Sequence, residues 1–133
     1  MFLRSLKSEQ KELVLGLAIF AAKANKIIDQ QEERCIAMYA DEMGIDINQA
    51  STQSLQEICS ELKRISSKQD IHKIVFEITG LVFSDYDYDD EEKNFMETII
   101  TKLGVSGEVF SSMENYVKEY FELIKKINNL VNS

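Results

Sequence analysis

Not one proline interrupts the 133 residues of this chain, and only five glycines do. Proline stops helices and glycine loosens them, so their scarcity favours long helices over a turn-rich β architecture. With 44% hydrophobic and 29% charged residues, the chain has an ordinary globular composition and the length to bury a real core. The expected fold is all-α, a compact bundle of about six to seven helices making one domain over residues 1–133.

Helical spacing and stop signals place the elements. The first helix should run from about Ser8 to Ala24, with Ser8 as N-cap and apolar residues on every side, including Val14, Leu15, Leu17, Ala18, Ile19 and Phe20. A second starts after Asp29, which with Glu32 forms a capping box, and ends at Gly44. Ile36, Tyr39, Ala40 and Met43 are its buried stripe. The polar stretch through Ser54 holds a turn and a short helix. A third helix carries Leu55, Ile58, Cys59, Leu62 and Ile65, and Ser67 with Asp70 opens a fourth through Val82. The fifth follows Asp89 and stops at Gly104, and Ser106 opens the last. Phe110, Met113, Val117, Tyr120, Phe121, Ile124 and Ile127 lie at core spacing there, and the turns from Asn128 onward are expected to fray.

Shifting the sequence by 60 residues aligns Asp29 with Asp89, Glu32 with Glu92, Gly44 with Gly104 and Asn25 with Asp85, without a gap. The reading is an internal pseudo-twofold repeat with units of about 12–45 and 72–105. Gly16 then meets Phe76 and Phe20 meets Gly80, so each phenylalanine is expected to sit over the other helix's glycine.

The turns between paired helices read Asn25-Lys26-Ile27-Ile28-Asp29-Gln30-Gln31-Glu32 and Asp85-Tyr86-Asp87-Tyr88-Asp89-Asp90-Glu91-Glu92. An Asp/Asn-x-x-hydrophobic-x-x-x-Glu turn between helices, the second ending in Gly-hydrophobic, given twice, resembles the TerB-like tellurite-resistance family. It is also similar to the N-terminal domain of DjlA-type co-chaperones. The resemblance spans roughly Glu12 to Phe121. It implies an all-helical fold with two related halves, acids that hold divalent cations, a stress-response association and no established enzymatic activity. Family turns often begin Asp-Gly, whereas these begin Asn25-Lys26 and Asp85-Tyr86, which weakens the first turn as a cation site.

The residues make their own case at the second turn. Six acids fall within the eight residues from Asp85 to Glu92. Calcium or magnesium wants several oxygen ligands on a backbone that bends around the ion. Alternate residues Asp85, Asp87 and Asp89 can converge, with Glu92 reaching back from the first helical turn. An EF-hand is excluded, because counting from Asp85 puts Asp90 where the loop needs glycine and Met96 where it needs glutamate. Capping alone accounts for Asp29 with Glu32 and for Asp89 with Glu92, but not for Asp85 or Asp87. The candidate metal ligands are therefore Asp85, Asp87, Asp89 and Glu92, with Asn25, Asp29 and Glu32 at the weaker first turn.

A net charge of −8 disfavours nucleic acid and suits cations or a protein partner with a basic surface. Met1 to Lys7 followed by Leu13 to Ala22 imitates a secretion signal, but that run is too short to span a bilayer and belongs to the repeat. The expected location is cytoplasmic, with Cys35 and Cys59 as buried free thiols. His72 has no partner at ligand spacing, and no phosphate loop or Ser-His-Asp set is visible. The leading reading is a non-enzymatic, stress-associated domain that binds a divalent cation, a protein partner, or both through its acidic turns. The alternative is a metal-free interaction module docking through the acidic and aromatic turn 85–92, and a carboxylate-pair hydrolase comes third.

Overall fold

A computed structural model describes residues 1–24, 30–84 and 88–133, leaving aside the side chains of Gln31 and Glu32. Six α-helices follow one another: α1 Ser8–Ala22, α2 Gln30–Met43, α3 Leu55–Ile65, α4 Lys68–Val82, α5 Asp90–Leu103 and α6 Gly107–Val131. Short 3-10 turns precede α1 at Leu3–Ser5 and α3 at Ile47–Gln49. No strand occurs among the described residues, so the all-α expectation holds.

α1 is the central stave. Leu13 through Ala18 are all buried, as its unbroken apolar surface requires, and it packs on α2, α3 and α4. Its one deeply buried polar group, Gln10, has a structural task. The carboxamide accepts the Lys7 amide (2.8 Å) and donates to Ser66 Oγ (2.9 Å) and Asp70 Oδ2 (3.1 Å), pinning the start of α1 to the α3–α4 junction. Lys7, one residue before the expected Ser8, is therefore the N-cap position.

Local signals set the other boundaries. Ser67 accepts from the Asp70 amide (3.0 Å), Ser106 from that of Val109 (3.2 Å) and Ser54 from that of Glu57 (3.1 Å). Gly44 and Gly104 take φ values of 70° and 75°, the left-handed conformation that ends α2 and α5. α1 and α4 have 15 residues each, α2 and α5 have 14, and the bounds of each pair differ by 60.

Three expectations are corrected. The glycines do not receive the phenylalanines. A Cβ on Gly16 would meet the Ser51 carbonyl oxygen at 2.7 Å and Ile58 Cδ1 at 3.1 Å, while Gly80 faces the Tyr39 hydroxyl. Phe76 pairs edge-on with Phe2 (centroids 5.9 Å apart), and Phe20 is partly exposed. Secondly, α6 is helical through Val131 rather than frayed from Asn128. Thirdly, Tyr120 and Ile127 lie outside the core, because α6 runs past the body of the bundle and buries only Phe110, Met113 and Val117. No described helix is long and apolar enough to cross a membrane.

Candidate functional site

The acidic second turn hangs between α4 and α5. Its approach is fixed by Ser84, whose hydroxyl donates to the Leu81 carbonyl (2.7 Å), and by Tyr88, whose ring stacks on Phe83 at 4.2 Å and 30°. Lys118 of α6 sets its ammonium 5.5 Å from the centre of the Phe83 ring on a cation–π contact. Tyr88 thus packs against the core.

Asp89 caps α5. Its Oδ1 accepts from the Glu92 amide (2.8 Å), and Glu92 Oε1 accepts from the Asp89 amide (3.4 Å), completing a reciprocal box. Asp90, Glu91 and Glu92 in the first turn complement the positive end of the helix dipole. Capping does not demand that the second member be enclosed. In the equivalent box of α3, Glu57 stands in water, whereas Glu92 is 0% exposed. Several acids act on the neighbouring Tyr88. Burial first, then the carboxylates of Glu114, Glu97 and Glu92, push the Tyr88 phenol well above its ordinary pKa.

Of the sequence-derived ligand set, Asp89 and Glu92 are thus brought together at the start of α5. Asp85, Asp87, Asn25 and Asp29 lie outside the described residues, and so does the side chain of Glu32. Among the described residues, no group of three or more His, Cys, Asp or Glu side chains is placed to hold a metal ion. His72 is half-buried on α4; Cys59 is a buried free thiol, and Cys35 is half-buried rather than buried.

A second feature was not read from the sequence. An apolar groove of about 580 Å³ runs between α2, α4 and α6, lined by Cys35, Tyr39, Phe76, Gly80, Tyr116 and Phe121 among others. Tyr39 spans its floor and donates its hydroxyl to the Glu77 carbonyl. At one end, two carboxylates grip the start of the chain. The Met1 ammonium contacts Glu42 Oε1 (2.7 Å) and Glu77 Oε1 (2.9 Å), the Phe2 amide donates to Glu77 (2.8 Å), and the Leu3 and Arg4 amides donate to Glu42 Oε2 (2.8 and 3.2 Å). Burial opposes the ammonium, but the two carboxylates outweigh it and its pKa rises. The one available signal was Glu77, an acid set among Ile74, Val75, Ile78 and Leu81 on the buried side of α4.

Neither a family model nor a curated protein matches this sequence. Its fold is similar to that of a tellurite resistance protein from Nostoc punctiforme, known from a crystal structure. The two share 18% identity with a TM-score of 0.69, over 95% of this chain and 82% of that one. The all-α fold expected from the resemblance to the tellurite-resistance family is the fold observed.

Proposed function

We propose that this chain is a stress-associated binding domain with no catalytic chemistry of its own, and that its turn over residues 85–92 takes up a divalent cation, calcium or magnesium. The observation that carries the reading is the crowding of six acids between Asp85 and Glu92, of which Asp89 and Glu92 meet at the start of α5. Crowded carboxylates repel one another, and a cation relieves that repulsion. Asp85 and Asp87 would supply the outer oxygens, and Asp89, already oriented by its cap, a further one. The likeness of fold to a tellurite resistance protein supports the stress association.

Thermal melting during a calcium or magnesium titration tests this. A cation at ten times its dissociation constant adds about 1.4 kcal/mol, which raises the midpoint by about 5 °C in a domain this size. Asp87→Asn combined with Asp89→Asn should abolish the rise, and monovalent salt at matched ionic strength should not reproduce it. A midpoint indifferent to millimolar cation defeats the metal reading. It would favour the second one, in which the turn docks a basic protein surface without metal; the outward-facing Asp90 and Glu91 support that reading.

A further inference from the structure

The last helix is longer than the body it packs on. Of its 25 residues only Phe110, Met113 and Val117 are buried, and from Glu122 to Val131 none is. That overhang is about 15 Å of helix. It is not polar. Tyr116, Tyr120, Leu123, Ile127 and Leu130 recur at alternating steps of four and three, and with Val131 they form a stripe whose members are 45% to 74% exposed. A helix built only to be solvated would not carry six large apolar residues on one side.

We infer that this stripe is a self-association surface, on which α6 pairs antiparallel with the α6 of a second copy of this chain. Area is the first argument. The six residues expose roughly 700 Å² per copy, taking on the order of 150–250 Å² for a whole aromatic side chain. Two copies then bury about 1,400 Å², within the span of about 1,200–2,000 Å² typical of specific interfaces. It also exceeds the largest apolar patch of a typical monomer, about 300–600 Å².

Charge selects the partner and its direction. Glu119 and Lys126 are seven residues apart, two helical turns, and so flank the same edge of the stripe. In an antiparallel pair crossing between Glu122 and Leu123, each Glu119 lies across from the partner copy's Lys126. A parallel pair would set like charge against like. The segment Tyr116–Val131 carries Lys118, Lys125 and Lys126 against Glu119 and Glu122, a net charge of +1 in a chain of −8. Two copies therefore meet on a region that repels little, whereas an anionic lipid surface is repelled by the chain as a whole.

Continuity with the groove completes the fit. Tyr116, Val117 and Tyr120 form its α6 wall as well as the start of the stripe. In that register the partner copy's Leu130 comes beside Tyr116, at the groove's mouth. The same patch then serves both copies, as a closed two-fold requires.

Sedimentation equilibrium on the full chain, from micromolar to near-millimolar, is the test. The expected result is a reversible dimer. Ile127→Glu should raise its dissociation constant by about a hundredfold, as removal of a central anchor does, while the midpoint of the dilute monomer stays unchanged. Lys126→Glu should weaken the dimer, and adding Glu119→Lys should restore it. A chain that stays monomeric throughout overturns the inference, whether or not the helix then binds vesicles or another protein. A dimer indifferent to Ile127→Glu overturns it too, and charge reversal that fails to restore overturns the antiparallel register.

Discussion

Gly16 should be the least replaceable small residue in the bundle, and Gly80 a tolerant one. The Cβ of Gly16→Ala would sit 2.7 Å from the Ser51 carbonyl oxygen, 3.1 Å from Ile58 Cδ1 and 3.3 Å from Ser51 Cβ. The obstacle is backbone and cannot swing aside, because the Ser51 amide is tied to the Glu12 carbonyl (2.9 Å) one turn earlier in α1. Overpacking of this kind costs about 1–3 kcal/mol. Against that, alanine gains about 1 kcal/mol over glycine inside a helix. The upper part of the overpacking range applies here, so the net loss is about 2 kcal/mol. At about 4 °C per kcal/mol, the melting midpoint should fall by about 8 °C. In Gly80→Ala the added Cβ meets nothing closer than the Tyr39 hydroxyl at 3.8 Å, an ordinary contact. There the helix propensity acts alone, and the midpoint should rise by about 4 °C. Urea and thermal melts of the two variants should therefore move in opposite directions. A Gly16→Ala variant as stable as the parent would refute the packing argument.

The carboxylate grip on the chain start should make stability depend on pH from both sides. Burial raises the Glu42 pKa, but the Met1 ammonium and the Leu3 and Arg4 amides outweigh it, so the net shift is downward and its contribution is lost as pH falls through that lowered value. The Met1 ammonium shifts upward, so its contribution is complete below 8.0 and is lost as pH rises through the raised value. The gap in midpoint between the parent and Glu42→Gln should be widest between 4.5 and 8.0 and shrink on either side; a constant gap refutes the linkage. Burial first, then nearby acids, also raise the phenols of Tyr39 and Tyr88. Ultraviolet titration above pH 10.0 should leave both neutral while the chain stays folded, and Tyr88→Phe should remove one from that protected count.

What the sequence disclosed, and what it withheld, divides by range. Gly44, Gly104, Ser67 with Asp70, and Asp89 with Glu92 were legible because each acts within four residues of itself, where spacing alone sets the contact. The partner of Gly16 lies 35 residues away in a polar loop with no periodicity to announce it. Phe76 was matched to the wrong neighbour because alignment reports equivalence rather than contact. Tyr120 and Ile127 have core spacing but no core to enter, since periodicity reveals an apolar face and not what covers it. At the acidic turn, Asp89 and Glu92 were found as a cap, but the enclosure of Glu92 was not, because cap spacing reports a local hydrogen bond and not burial.

The central position of α1 has a consequence for how the chain is made. Its apolar surface is completed by α3 and α4, and α4 ends 60 residues behind it, at Val82 against Ala22. At synthesis rates of about 5–20 residues per second, the stretch from Leu13 to Ala22 waits about 3–12 s for its cover. A holding chaperone would find its strongest handle on the nascent chain there. Substitutions that delay α3 and α4 would then surface as lost yield and insoluble product, even where the finished molecule melts at its usual temperature.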